Sequence, residues 1–175
     1  LAAAKEAHIR TLAEYDNYSK RTAKEKEGTY NDAKAMCMTE LLPVLDKYDA
    51  IVIGCGIGVN EDTTELVKGI LRNSKVPVIA DADAINIIAK DISILKTASS
   101  RVVLTPHPKE MSRLAGTPTE IIQSDRIGWA RKFSAENGVY LVLKGSNTVV
   151  SEPDSKRTYV NASGNNGLSK GGSGD

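Results

Sequence analysis

The chain has 175 residues, of which 41% are apolar and 26% are charged, and its formal net charge is +1. Such a composition is typical of a globular domain with a sizeable core. The near-neutral charge excludes a broad basic surface for nucleic acid or for an anionic membrane. No apolar run reaches about 18 residues, so the sequence predicts no transmembrane helix.

The cysteines and the first residues bear on the location of the protein. Cys37 and Cys55 have neither CxxC spacing nor a histidine cluster beside them, which argues against a disulfide framework or a zinc site and favours a reducing compartment such as the cytoplasm. Residues 1–10 lack the order of charged and apolar residues of a signal peptide, and the sequence has no initiator methionine. We therefore expect it to begin inside a longer chain.

The predicted elements begin with helices. Residues 1–27 are rich in Ala, Lys and Glu and favour a helix, and a second helical stretch over 31–42 leads to Pro43. Short apolar runs then predict strands at 50–53, 77–80, 101–104 and 139–143, with helical patterns at 62–73, 84–89 and 118–137. This alternation predicts a mainly parallel sheet covered on both faces. Residues 148–150 and 157–160 predict two antiparallel strands joined by a turn at Pro153-Asp154-Ser155.

Polar or glycine-rich segments follow each predicted strand of the parallel sheet. In open parallel sheets, ligands bind at the carboxyl ends of the strands. We therefore expect a single binding edge formed by the segments 54–58, 81–83, 105–108 and 144–146.

Taken one by one, these segments leave alternatives open. The three glycines of 54–58 fit either a tight turn or the close approach of a ligand to the backbone. Asp81 and Asp83, two residues apart at the end of a strand, are expected to point the same way. They suit water-mediated Mg²⁺ binding or a polar pocket, or else a cap on the next helix. His107 lies between two prolines that restrict its backbone, which suits a contact with a ligand.

The glycine-rich end, 171–175, carries the most informative chemical signal. Consecutive glycines before a helix expose backbone N–H groups that bind phosphate and stabilise charge on a transferred phosphoryl group. An aspartate at that place, Asp175, can accept the proton of an attacking hydroxyl. The alternative interpretation is a flexible tail.

Together these segments resemble the ordered motifs of the NAD(P)H-hydrate dehydratases, a family of the ribokinase-like superfamily. The motifs are, in chain order, Ile53-Gly54-Cys55-Gly56-Ile57-Gly58, Asp81-Ala82-Asp83-Ala84-Ile85-Asn86, Thr105-Pro106-His107-Pro108-Lys109-Glu110-Met111, Lys144-Gly145-Ser146-Asn147-Thr148, and Gly164-Asn165-Asn166-Gly167 followed by Gly171-Gly172-Ser173-Gly174-Asp175. The resemblance covers about residues 49–175. Residues 1–48 form a helical part that matches the family poorly, and Asn166 stands where the family usually has proline.

The resemblance implies a three-layer α/β/α ribokinase-like sandwich and a repair enzyme. Such an enzyme returns hydrated NADH or NADPH (NADHX or NADPHX) to the reduced cofactor, driven by ADP or ATP with Mg²⁺. A phosphoryl group passes to the ring hydroxyl, and loss of phosphate restores the reduced cofactor. We also expect a homo-oligomer whose partners are these small molecules, with no nucleic acid and no membrane.

The resemblance also implies site roles, residue by residue. Asp175 would act as the base and contact the hydrate. The anion hole would be formed by Gly172, Ser173 and Gly174. The adenine nucleotide would be held, with Gly174, by Lys144, Gly145, Ser146, Asn147 and Thr148. The hydrated cofactor would be lined by Gly56, Gly58 and His107, and no side chain is assigned to a metal. We expect a single dehydratase domain over 1–175, cut at its catalytic aspartate, and activity is expected of the complete protein.

Two other functions fit part of this pattern. A ribokinase-like kinase for a small vitamin precursor or a sugar alcohol would share the glycine-aspartate chemistry, and it would retain a phosphorylated product instead of releasing phosphate. A nonenzymatic nucleotide-binding module would bind the nucleotide without turnover.

Overall fold

The computed structural model of the protein describes residues 2–154 and 156–163. The chain divides into two compact units, Leu1–Leu41 and Leu42–Asp175. The elements in chain order are α1 (Ala2–Leu45), β1 (Ile51–Ile53), α2 (Glu61–Asn73), β2 (Val78–Ala80), α3 (Ala82–Lys90), a 3-10 helix (Ile92–Thr97), β3 (Val102–Leu104), α4 (Pro108–Ala115), α5 (Thr119–Ser124), α6 (Arg126–Asn137), β4 (Tyr140–Leu143), β5 (Val149–Ser151) and β6 (Thr158–Val160). Within the described ranges, no helix has both the length and the hydropathy that a membrane crossing requires.

The described residues of the first unit belong to helix α1. Its exposed surface carries ion pairs one turn apart, which are Arg10–Glu14 at 3.2 Å, Lys20–Asp16 at 2.7 Å and Arg21–Glu25 at 3.6 Å. Exposed pairs of this kind contribute about 0.3–0.5 kcal/mol each. The prediction of two separate helices was wrong, because α1 continues through Gly28 and Pro43. Glycine lowers helix stability by about 1 kcal/mol without preventing a helix, and Pro43 lies in the last turn, where one missing amide removes a single hydrogen bond.

The second unit is built on one six-stranded sheet whose strands follow each other in chain order. Strands β1 to β4 are parallel, and β5 and β6 continue the sheet in antiparallel pairing. The predicted mainly parallel sheet is therefore confirmed, as is the final antiparallel pair. Each parallel strand is a short run of apolar residues, which agrees with strands that a helical layer covers.

Alternate strand residues divide the sheet into a buried face and a partly exposed face. The buried face is formed by Ile51, Ile53, Val78, Ala80, Val102, Leu104, Leu141 and Leu143. The β–α–β connections are right-handed as a rule, so with strands in chain order the connecting helices lie on the same face. On the other face Val52 is 65% exposed, and Ile79 and Val103 are half-buried.

The helical layer departs from the predicted helices at two places. The single helix expected over 118–137 is divided at Asp125, because the Asp125 side chain accepts a hydrogen bond from Gly128 N at 2.8 Å and begins α6 there. Helix α4, which begins directly after His107, was not predicted. Side chains such as Leu71, Ile85, Met111 and Ile122 are fully buried in this layer.

A glycine is required at position 54, directly after β1, because the end of β2 approaches its backbone closely. Its φ of +127° is unfavourable for a side chain, and a Cβ atom there would lie 1.8 Å from the Asp81 carbonyl oxygen. The amide of Asp83 donates to Gly54 O at 3.2 Å. The start of α3 is therefore packed directly against the backbone of Gly54.

We expect Gly54→Ala to lower the free energy of unfolding by at least about 3 kcal/mol, because the strand ends must separate to admit a methyl group. Gly56→Ala is the matched control, since Gly56 also has a positive φ of +71° but open space at the Cβ position. It should cost only the backbone penalty of about 1–2 kcal/mol. Urea unfolding monitored by circular dichroism measures both. Equal losses would contradict the packing explanation.

Candidate functional site

The segments that follow β1, β2, β3 and β4 meet at one edge of the sheet. Backbone hydrogen bonds join neighbouring strand ends, which are Asp81 N to Ile53 O at 3.0 Å, Thr105 N to Ala80 O at 3.2 Å, and Lys144 N to Pro106 O at 2.8 Å. The predicted gathering of these segments is confirmed. Since Pro106 precedes His107, the contact also places His107 and Lys144 at the same edge.

An ion pair joins two of these segments directly. Lys144 Nζ donates to Asp81 Oδ1 at 3.0 Å, and both side chains are about one-fifth exposed (22% and 21%). Burial of Asp81 opposes ionisation, but hydrogen bonds from Lys144, Thr105 and the Ala82 amide outweigh this effect, so the pKa of Asp81 is lowered. In this arrangement the Lys144 ammonium holds β4 to β2.

Asp83 serves a different loop from Asp81. Its Oδ2 accepts a hydrogen bond from Gly58 N at 2.9 Å, which holds the glycine-rich segment after β1. The expectation that the two aspartates point the same way was wrong, because the strand ends at Ala80 and Asp83 already belongs to helix α3. The capping alternative is confirmed for Asp81, whose Oδ1 accepts from Ala82 N at 2.9 Å.

His107 is the N-cap of helix α4. Its Nδ1 accepts hydrogen bonds from Lys109 N at 3.1 Å and from Glu110 N at 3.3 Å, while Glu110 Oε2 accepts from His107 N at 2.9 Å. Because Nδ1 is an acceptor, the neutral ring carries its proton on Nε2, which lies 3.4 Å from Glu110 Oε1. The ring is held by the helix end and remains about one-third exposed, at 32%.

The turn between β4 and β5 carries the segment 144–148. Gly145 and Asn147 both have positive φ, at +139° and +57°. The Thr148 hydroxyl donates to Gly145 O at 3.1 Å and closes the turn on itself. Ser146 and Asn147 are exposed. Residues 145–147 of the predicted nucleotide segment are therefore open to the solvent.

Arg126, the first residue of helix α6, was not predicted as a site residue but holds this turn. Its Nη2 donates to Leu143 O at 2.9 Å and to Lys144 O at 3.1 Å, and its Nη1 donates to Ser146 O. Burial lowers the pKa of the guanidinium. The contacts join residues 17–20 positions apart in the chain, so no local spacing could have indicated them.

Gly172, Ser173, Gly174 and Asp175 lie outside the described residues. Among the described residues, no group of three or more His, Cys, Asp and Glu side chains could hold a metal ion. The Asp81 and Asp83 carboxylates are already engaged with Lys144 and Gly58.

Comparisons with known proteins agree on one family. The family model described as NAD(P)H-hydrate dehydratase matches residues 7–175. An ADP-dependent (S)-NAD(P)H-hydrate dehydratase from Neisseria meningitidis is 43% identical over 130 residues, which are 73% of this chain and 44% of that protein.

Solved structures support the same fold. An ADP/ATP-dependent NAD(P)H-hydrate dehydratase from Bacillus subtilis, co-crystallized with ATP/Mg²⁺, is 35% identical and has a TM-score of 0.61 over 71% of this chain and 43% of that chain. A ribokinase-like superfamily protein from Enterococcus faecalis is 26% identical and has a TM-score of 0.63 over 77% of this chain and 46% of that chain. The predicted ribokinase-like α/β fold is confirmed. The chain spans from a quarter to less than half the length of the curated relatives that it matches.

We expect Asp81→Asn to lower the free energy of unfolding by about 1–2 kcal/mol at neutral pH, because it leaves the Lys144 ammonium without its charged partner. The folded state lowers the pKa of Asp81, so its contribution is complete above the unfolded carboxyl pKa of about 3.9 and is lost as the pH falls through the lower folded value. The difference between wild type and variant should therefore stay constant from about pH 5 to pH 8 and shrink below about pH 4. Urea unfolding across this range measures it, and a difference that grows in acid would contradict the assignment.

Proposed function

We propose that this chain, which belongs to the NAD(P)H-hydrate dehydratase family, forms part of an enzyme that dehydrates NADHX or NADPHX to NADH or NADPH with ADP or ATP. The observation that carries the proposal is the gathering of the segments 54–58, 81–83, 105–107 and 144–148 at one edge of the sheet, held by the Lys144–Asp81 pair. Ligands of open parallel sheets bind at this edge. The relatives from Neisseria meningitidis and Bacillus subtilis carry NAD(P)H-hydrate dehydratase activity in their names.

The nucleotide is assigned to the turn after β4. In the proposal, residues 144–148 and Gly174 hold the adenine nucleotide. Residues 145–147 of the turn are exposed, and Ser146 and Thr148 carry hydroxyls; backbone amides recognise phosphate and ribose oxygens well. Lys144 contributes by holding the turn and by placing a positive charge at the edge, although its ammonium donates to Asp81.

The hydrated cofactor is assigned to the neighbouring loops. A Cβ atom added at Gly56 or Gly58 would meet no heavy atom of the described residues within 4 Å, so the backbone there is open to a ligand. His107 presents its partly exposed ring two residues beyond Thr105, at the end of β3. These loops flank the same edge as the nucleotide turn, as a transfer between two bound molecules requires.

The chemistry is assigned to the residues 172–175. Asp175 accepts the proton of the ring hydroxyl, whose oxygen forms a bond to the terminal phosphorus as the bond from that phosphorus to the nucleotide breaks. Gly172, Ser173 and Gly174 supply amides that stabilise the negative charge on the phosphoryl group. Loss of phosphate and a proton then restores the reduced ring. Mg²⁺ accompanies the nucleotide phosphates, as is usual for this ion.

The remaining features of the proposal concern the setting of the enzyme. We place it in the cytoplasm as a homo-oligomer, with residues 1–175 forming part of a single dehydratase domain. Cys37 and Cys55 are both free and exposed, which agrees with a reducing compartment.

Lys144→Ala in the complete protein should raise the nucleotide KM more than it lowers kcat, because it weakens ground-state and transition-state binding of the nucleotide alike. Steady-state repair of NADHX at varied ADP or ATP measures both constants. Asp81→Asn is the informative companion, since it breaks the same ion pair but keeps the ammonium. An equal rise in both variants would indicate that Lys144 acts by positioning the turn, and unchanged nucleotide binding in Lys144→Ala would contradict the assignment.

Asp175→Asn in the complete protein should reduce turnover by about 10²–10⁴-fold, because it keeps the shape of the side chain and removes the general base. Nucleotide affinity should stay within several-fold. The measurement is recovery of the reduced-nicotinamide absorbance from NADHX, with phosphate release followed in parallel. Asp154→Asn, in the exposed turn before β6, is the matched control.

Three outcomes would contradict the proposed function or the role of Asp175. Full activity of Asp175→Asn would exclude it as the base. Retention of a phosphorylated product by the wild-type protein would favour a ribokinase-like kinase. Nucleotide binding by the wild-type protein without any turnover would favour a nonenzymatic module.

A further inference from the structure

Arg126 is a partly buried cation whose acceptors in the described part of the chain are all main-chain carbonyls. The guanidinium bonds the carbonyl oxygens of Leu143, Lys144 and Ser146, and its Nε is buried without a hydrogen-bond partner among the described residues. A planar fork of N–H donors can bridge several carbonyls at once, which a lysine ammonium on a flexible stem does not reproduce. Arg126 is therefore placed to set the orientation of successive peptide groups in the turn after β4.

The orientation of those peptides follows from the planarity of the peptide bond. In a trans peptide, the carbonyl of one residue and the N–H of the next point in opposite directions. Carbonyls of Lys144 and Ser146 that face Arg126 therefore turn the amides of Gly145 and Asn147 away from it. The peptide of Leu143 shows the same relation, since the Lys144 amide points away from Arg126 and donates to Pro106 O at 2.8 Å.

The backbone of the turn is adapted to this cation. A Cβ atom on Gly145 would lie 3.0 Å from Arg126 Nη2 and 3.3 Å from its Cζ, so the absence of a side chain leaves room for the guanidinium. Gly145 and Asn147 both take up positive φ, a conformation that glycine and asparagine adopt more readily than most residues. Among the described residues, neither the Gly145 amide nor the Asn147 amide donates a hydrogen bond to a backbone carbonyl.

We infer that Arg126 is a positioning residue for the nucleotide, because it orients the turn so that the amides of Gly145 and Asn147 face the bound phosphate or ribose oxygens. The inference rests on the proposed nucleotide role of residues 144–148. The positive charge of the Arg126 guanidinium also favours an anionic ligand at the turn. Arg126 does not touch the reacting atoms, so its loss weakens nucleotide binding without removing a catalytic group.

The test is Arg126→Lys in the complete protein, which retains the charge but not the fork. We expect the nucleotide KM and the dissociation constant for ADP or ATP to rise at least about tenfold, while kcat changes by less than about threefold. Arg113→Lys is the matched control, because Arg113 is exposed and, among the described residues, donates to Asn86 Oδ1 at 2.8 Å and to no part of the turn. It should change neither constant by more than about twofold.

Direct nucleotide titration keeps this inference separate from the proposed reaction. Weak nucleotide binding by Arg126→Lys supports the inference even where wild-type protein repairs no NADHX, in which case the proposed reaction alone fails. Unchanged binding in Arg126→Lys overturns the inference even where repair is found.

A second measurement uses the wild-type protein, so it tests the inference even if the Arg126→Lys protein does not fold. Hydrogen exchange of the wild-type protein, resolved by mass spectrometry or NMR, should show slower exchange at the Gly145 and Asn147 amides when ADP or ATP is added. Unchanged exchange at both amides under saturating nucleotide overturns the inference.

Discussion

The hydrogen-bonded ion pair between Lys144 and Asp81 connects β2 and β4, two strands that are not neighbours, across the end of β3. Both side chains are largely shielded from solvent, where an ion pair is screened less than on the surface. The same Asp81 oxygen also caps helix α3. One carboxylate therefore connects the segments after β2 and β4 and begins helix α3, and its pKa is lowered, so it stays ionised throughout the neutral range.

The motif side chains at this edge mostly hold other parts of the protein. Lys144 bonds Asp81, His107 caps α4 and Asp83 bonds the amide of Gly58. Arg126 bonds the carbonyls of the turn after β4. In the described part of the chain, the amides of Gly145 and Asn147 at this edge donate to no backbone carbonyl, and both residues take up positive φ. Recognition of phosphate by backbone amides is a common solution in α/β proteins, and the fixed side chains provide the rigidity that such recognition requires.

The fold was largely predictable because its strands are short apolar runs that turn-forming residues interrupt. Runs such as 101–104 and 139–143 are almost wholly apolar, so they indicate buried parallel strands. Helix boundaries were less predictable. Gly28 and Pro43 are local signals for a break, but α1 continues through both. Asp125 divides one predicted helix into two because its side chain accepts a hydrogen bond from the amide of Gly128. Composition does not distinguish this arrangement from a single continuous helix.

The sequence by itself determined which segments carry the chemistry, since polar and glycine-rich residues after apolar strands must come together at the carboxyl edge of a parallel sheet. Only the tertiary structure decided what each side chain does there. Asp81 and Asp83 serve different loops because a helix begins between them, and Arg126 reaches the turn after β4 from a separate helix. Hydrogen bonds between residues far apart in the chain depend on how whole elements pack, and the local spacing of residue types does not encode that packing.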